Sequence, residues 1–231
     1  MTYDFVGNKA SVVGTCGTTG TTLTVSQTFD ELNRVTTQSN DDNLRELQYT
    51  YTPRGLRTSF RVFNTESSVQ EQVTQYAWNE NGQIQKILPW IGRPIEFVYR
   101  ADGTKKSVTL PNGMKRSYSF NDLNQLTELL YQDEEEKDVA FFRYTYGPSG
   151  NVLSLTDNEG LSRFEYNALN WLTKADYPDG TWEQFSYDLE GNRIALDTEA
   201  GSTVYTYNAA NRLLRERGAR NVDYSWDDNG N

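Results

Sequence analysis

An aromatic residue followed four positions later by glycine or asparagine occurs eleven times in this chain, in register from one end to the other. The aromatic anchors are Tyr3, Phe29, Tyr51, Trp78, Tyr99, Phe120, Tyr146, Tyr166, Tyr187, Tyr207 and Trp226. Their followers are Gly7, Asn33, Gly55, Gly82, Gly103, Asn124, Gly150, Asn170, Gly191, Asn211 and Gly230. Glycine and asparagine are the residues that enter the left-handed backbone region at least cost. In eight copies the residue after the anchor is Asp or Asn, as at Asp4, Asp30, Asn79, Asn167 and Asp188. Such a side chain bonds its own backbone, so Asp/Asn–x–x–Gly/Asn spells a type I turn closed by a left-handed residue, a hairpin connection. A turn of this kind is expected to accept Asn at Gly191 far better than a β-branched residue.

The flanks predict strands. Nine copies carry a second aromatic residue two positions before the anchor, among them Tyr49, Phe164, Phe185 and Tyr205. A spacing of two puts both rings on one face of a strand, whereas a helix would separate them. Alternating segments such as "NRIALDT" follow the turn, and "LPNG", "YPDG" or "TEAG" then reverses the chain into the next copy. With copies of 19 to 27 residues, each is two short strands and two turns. A lone hairpin cannot bury its ring-bearing face. Repetition at a fixed period therefore predicts an all-β, solenoid-like antiparallel sheet in which successive hairpins line their rings into stacked columns. The anchors and their partners use twenty of the thirty aromatic residues. No linker or shift in composition divides the chain, so residues 1–231 read as a single array.

Composition narrows function mainly by exclusion. A net charge of −10 disfavours nucleic acid and anionic membrane surfaces as partners. No apolar run approaches the ~20 residues of a spanning helix, and the N-terminal residues do not spell a signal peptide. The absence of histidine removes His-based triads and His metal sites. Cys16 is a lone thiol in a Gly/Thr-rich stretch and has no intrachain partner for a disulfide. Glu134, Glu135 and Glu136 form an acidic run that reads either as a solvated loop tip or as an acidic contact or cation site. The recurrent carboxylates sit at turn positions with a structural reason, and no nucleophile, phosphate-loop or dinucleotide motif occurs in a fitting context. No enzyme activity, cofactor, metal site or catalytic residue is expected. Trp90, Trp171 and Trp182 lie outside the anchor columns, where exposed rings could stack on sugars or pack against the sheet.

The copies "YDLEGNR" at Tyr187, "YNAANRL" at Tyr207, "YDFVGN" at Tyr3 and "FDELNRVT" at Phe29 resemble the YD repeat of Rhs proteins. That family includes bacterial polymorphic toxins, shell components of insecticidal toxin complexes, and teneurins. The resemblance implies a long antiparallel sheet that spirals into a hollow shell around an effector, in proteins of the cell surface or the secreted space. The family's Pro- and Asp-rich autocleavage motif is absent, and no segment of the chain is left over for an effector domain. The chain therefore reads as a piece of a longer array, an open sheet and not a closed cocoon. Its expected function is structural: a shell or scaffold segment, with an effector or further repeats of the parent as partners. Self-association through exposed strand edges is a further expectation. A carbohydrate- or protein-binding module is the alternative.

Overall fold

The computed structural model describes residues 1–15, 22–40, 45–64, 72–227 and 229–230; Cys16 and Asp228 lie outside the described residues. Among these there is no α-helix. Twenty-one strands run from β1 (Thr2–Tyr3) to β21 (Asn221–Asp223). The chain divides into two compact units, Met1–Lys115 and Arg116–Asn231. In the first unit, β1 to β10 (Lys105–Thr109) pair each with the next, all antiparallel. In the second unit, β12 (Leu126–Gln132) to β21 do the same. The architecture is an all-β succession of antiparallel hairpins.

The turn chemistry explains each hairpin. At all eleven positions the Gly or Asn four after the anchor has positive φ, from 57° at Asn211 to 93° at Gly7. Its amide donates to the carbonyl of the residue that follows the anchor, as from Gly191 to Asp188. Where that first turn position holds Asp or Asn, its side chain accepts from the backbone two residues on, four residues on, or both: Asp188 Oδ1 takes the amides of Glu190 at 3.1 Å and Asn192 at 2.8 Å. Asn167 and Asn208 repeat the geometry with an amide in place of the carboxylate.

A bulge accompanies the turn. Tyr187 faces Arg193, but Ser186 faces Ala195, which leaves Ile194 as the extra residue. The same slip, seven residues after the anchor, occurs at Ala10, Thr36, Thr58, Gln85, Lys106, Leu153, Thr173 and Leu214. A left-handed closing residue and a bulged strand are what a three-residue hairpin loop built on a type I turn requires.

The sequence conceals one further copy of this turn. Asp133 donates to and accepts from its own loop as the others do, and Glu136 stands in the left-handed position with φ 62°. The expected acidic tip is thus a tight hairpin turn, with Val139 as its bulge. A glutamate does not announce a left-handed residue, which is why the copy is hard to read. At Leu110–Met114 and Tyr177–Thr181 the same backbone pattern also closes the opposite end of a hairpin.

Among the described residues burial is concentrated in one stripe, and buried Ser107 lies outside it. The aromatic residue two before the anchor faces the residue nine after it, as Tyr205 faces Glu216 and Phe164 faces Ala175. That residue in turn faces the next copy four before its anchor, as Ala175 faces Glu183. Val108, Ala175, Tyr205, Ser162, Thr203 and Glu216, all buried, fall in this row. The interior anchors, Tyr187 among them, are half-buried, while Tyr3 and Trp226 are exposed. The anchor rings thus cover the sheet without being enclosed.

Two substitutions test the turn. Gly180 has φ 87° and open space where a Cβ would stand. Gly180→Val should lose about 1–3 kcal/mol in denaturant unfolding, and Gly180→Asn much less. Glu136→Gly should raise the unfolding midpoint by relieving a left-handed side chain, a gain of up to about 1 kcal/mol.

Candidate functional site

The features that recur with the repeat join one copy to the next. The strands of neighbouring copies pair until the residue eight after one anchor meets the residue three before the next, as Lys174 meets Gln184 and Ala195 meets Val204. Beyond that point the ladder stops, and the carbonyl six after the anchor lacks a strand partner. The next anchor supplies one. Tyr187 Oη donates to the Leu172 carbonyl at 2.8 Å, and Tyr207 Oη to that of Arg193 at 2.9 Å. Tyr51, Tyr99 and Tyr146 do the same to Val35, Ile84 and Leu126. Trp78 and Trp226 use the indole N–H, on Arg57 and Leu213. Burial raises the Tyr99, Tyr146 and Tyr207 hydroxyls above the ordinary phenol value, which keeps them protonated donors.

This differs from the ring columns expected from the spacing. Among the described residues three ring pairs, Tyr49–Phe60, Tyr131–Phe142 and Trp171–Tyr187, lie 5.3–6.3 Å apart, and none of these joins one anchor to the next. Arginine fills part of that role. The Arg34 guanidinium lies 4.7 Å from the Tyr51 ring, and Arg193 lies 4.7 Å from Tyr205 and 5.9 Å from Phe185. Arginine residues scattered through the sequence gave no periodic signal for this.

The repeat carboxylates serve as turn acceptors. The Asn192 side-chain amide, with backbone amides beside it, holds Asp188 below the usual carboxylate range. The backbone amide of Arg34 leads the same effect on Asp30. Such groups are ionised at neutral pH and make poor general acids. Glu216 is the exception by position. It is buried in a row otherwise occupied in neighbouring copies by Leu155, Ala175 and Leu196, with Tyr224 Oη at 3.4 Å and Arg220 at 3.5 Å. Among the described residues no group of three or more His, Cys, Asp or Glu could hold a metal ion. Of the three tryptophans outside the columns, Trp90 is 50% exposed beside exposed Ile91, whereas Trp171 and Trp182 are half-buried. A groove of about 380 Å³ is lined by Tyr51, Leu56, Arg57, Tyr76, Trp78 and Ile84. The polar tips of its Tyr51 and Trp78 are already spent on carbonyls of the preceding copy.

Comparison with known proteins agrees with this geometry. Residues 143–181 match the family model of the RHS repeat. The resemblance to Rhs/YD-repeat proteins holds. Over 195 residues the chain is 27% identical to the tRNA3(Ser)-specific nuclease WapA of Bacillus spizizenii, covering 77% of this chain and 8% of that protein. The fold matches the Photorhabdus luminescens Tc holotoxin pore with a TM-score of 0.58, at 14% identity over 96% of this chain and 14% of that one. It matches TcdB2–TccC3 with Cdc42 at 0.55, with 17% identity over 91% of this chain and 12% of that one. TcdB2–TccC3 without its hypervariable C-terminal region gives 0.56, with 16% identity over 92% and 12%. The chain thus spans a small fraction of each of these relatives.

Two measurements check the joint. Tyr187→Phe removes only the hydroxyl that satisfies Leu172, and should cost about 1–2 kcal/mol in unfolding experiments. Asp188 titrates lower in the folded chain than in the unfolded one, so its contribution is full above pH 3.8 and fades as pH falls through the folded value. Asp188→Asn keeps the two backbone hydrogen bonds to Oδ1, as Asn208 does, but loses the bond from the Asn192 side chain; it should lower stability at neutral pH and flatten the acid limb of a stability–pH curve.

Proposed function

We propose that this chain is a structural wall segment of an Rhs-type protein, a single repeat array over residues 1–231 and part of a longer one. In the parent it encloses or displays an effector carried elsewhere, and it performs no chemistry itself. The observation that carries this reading is the repeated joint, in which seven anchors spend their polar tips on the carbonyls of the preceding copy. Residues committed to holding neighbours in register build surface rather than a reaction centre. The likeness in fold to toxin-complex components supports the same reading. So does the small share of those chains that this one covers. Strands β1 and β21 have two and three residues, which leaves little backbone for a second copy to extend. Further repeats of the parent are therefore the better occupants of those edges than another molecule of this chain.

Limited proteolysis of the parent protein tests the proposal. An effector inside the wall should resist protease until Tyr187→Ala and Tyr207→Ala loosen the repeats, and should then be digested. An effector digested equally fast in both forms would overturn enclosure. Carbohydrate binding finds a foothold in the Tyr76 ring of the groove and in exposed Trp90. A glycan-array signal abolished by Tyr76→Ala at unchanged stability would favour that reading.

A further inference from the structure

Glycine and asparagine serve the turn equally well, since both take positive φ at the closing position. Their distribution follows the preceding copy. Where the residue just after the preceding turn is Asn, the next closing residue is Asn, and the two side chains bond. Asn8 Nδ2 donates to Asn33 Oδ1 at 2.9 Å, Asn151 to Asn170 at 2.8 Å and Asn192 to Asn211 at 2.9 Å. Where that residue is longer, the next closing residue is Gly, and the long side chain packs against the place where a Cβ would stand, in the space an amide beyond that Cβ would need. A Cβ on Gly191 would be 3.1 Å from Trp171, on Gly230 3.2 Å from Arg212, and on Gly103 and Gly150 3.4 Å from Gln83 and Gln125. On Gly82 and Gly55 the distances would be 3.7 Å to Leu56 and 4.0 Å to Arg34. All nine junctions that lie within one unit obey the rule. Gly7, which follows no such residue, has open space around it.

We infer that this pair is a neighbour-matching contact, in which the residue after each turn selects the turn that can stack on it. An Asn is too short to reach a glycine backbone laterally, and it takes as partner an amide projecting from a left-handed Asn. A long side chain excludes that amide and is received by bare glycine, where it can reach the backbone itself, as Gln83 does in donating to the Gly103 carbonyl at 2.8 Å. Gly191 is thus a poor site for Asn in spite of its φ of 88°, because the Trp171 ring occupies the space. The partner recognised is another repeat with the complementary closing residue. A repeat with the other residue would meet either a collision or an unpaired amide.

Two double-mutant cycles in the full chain, read by the unfolding equilibrium in denaturant, test the match. The first combines Trp171→Asn with Gly191→Asn, and the second combines Asn192→Leu with Asn211→Gly, which recreates the Leu56–Gly82 junction. Each single variant should lower stability. Each double should then exceed the sum of its singles by a coupling of roughly two-fold or more in the unfolding constant. Additive behaviour in both cycles overturns the inference. If Gly191→Asn alone fails to fold, recovery of folding in the Trp171→Asn/Gly191→Asn double supports it. Should that double also fail, the Asn192/Asn211 cycle decides, since every member of it keeps a residue suited to positive φ.

Discussion

A single hydrogen bond, from the tip of an aromatic ring to a carbonyl that the strand ladder has left open, organises this molecule. The bulge after each turn lies beside that carbonyl, and the ladder between copies ends short of it. Left unpaired, such a group would carry a cost that repetition multiplies. At seven junctions the next copy answers with a tyrosine or tryptophan long enough to cross the gap. Tyr187, Tyr207 and Trp226 reach the same register position by different routes, an O–H in two cases and an N–H in the third. This accounts for a choice that burial alone would not explain. A half-buried ring contributes modest apolar area, and phenylalanine would contribute as much. The polar tip distinguishes the preferred residues.

The joint also makes the sheet a sum of nearest-neighbour terms. Among the described residues no large side chain is fully buried as in a two-layer core, and the buried stripe is narrow. Stability has to come from many similar junctions, which draw in varying combination on ring-to-carbonyl bonds, arginines against rings and matched pairs of turn residues. Loss of any one is local. Loss of the turn conformation is more serious, because the bulge, the open carbonyl and the anchor's approach all follow from it.

Much of this was legible in the residues. The eleven anchors and their Gly or Asn partners spell hairpins because positive φ and side-chain-to-backbone bonding are chemical properties of particular residues, readable without coordinates. The turn at Asp133 escaped notice because Glu136 occupies a left-handed position by force of its surroundings. The lateral contacts were less legible still. Ring columns were the natural expectation from spacing two, yet the spacing says which face a ring takes and not what lies across the gap from it. The partner of Tyr187 is a backbone carbonyl, and a carbonyl has no letter in the sequence. The Gly–Asn alternation was visible as letters, but its meaning required knowing that Trp171 lies over Gly191.

The two ends of each hairpin carry unequal obligations. At the anchor end, turn, bulge and, at seven anchors, the carbonyl bond hold a copy to its neighbour at one register. At the other end the connections differ in length and type, from the two-residue reversal between Thr198 and Gly201 to the longer segment around Trp90. Phase is set at one margin, so the opposite margin is released from setting it. Along that margin the chain can gain or lose residues, or present unlike side chains from copy to copy, without disturbing the order of the strands. A sheet built this way has one margin written in a fixed grammar and one left open to variation.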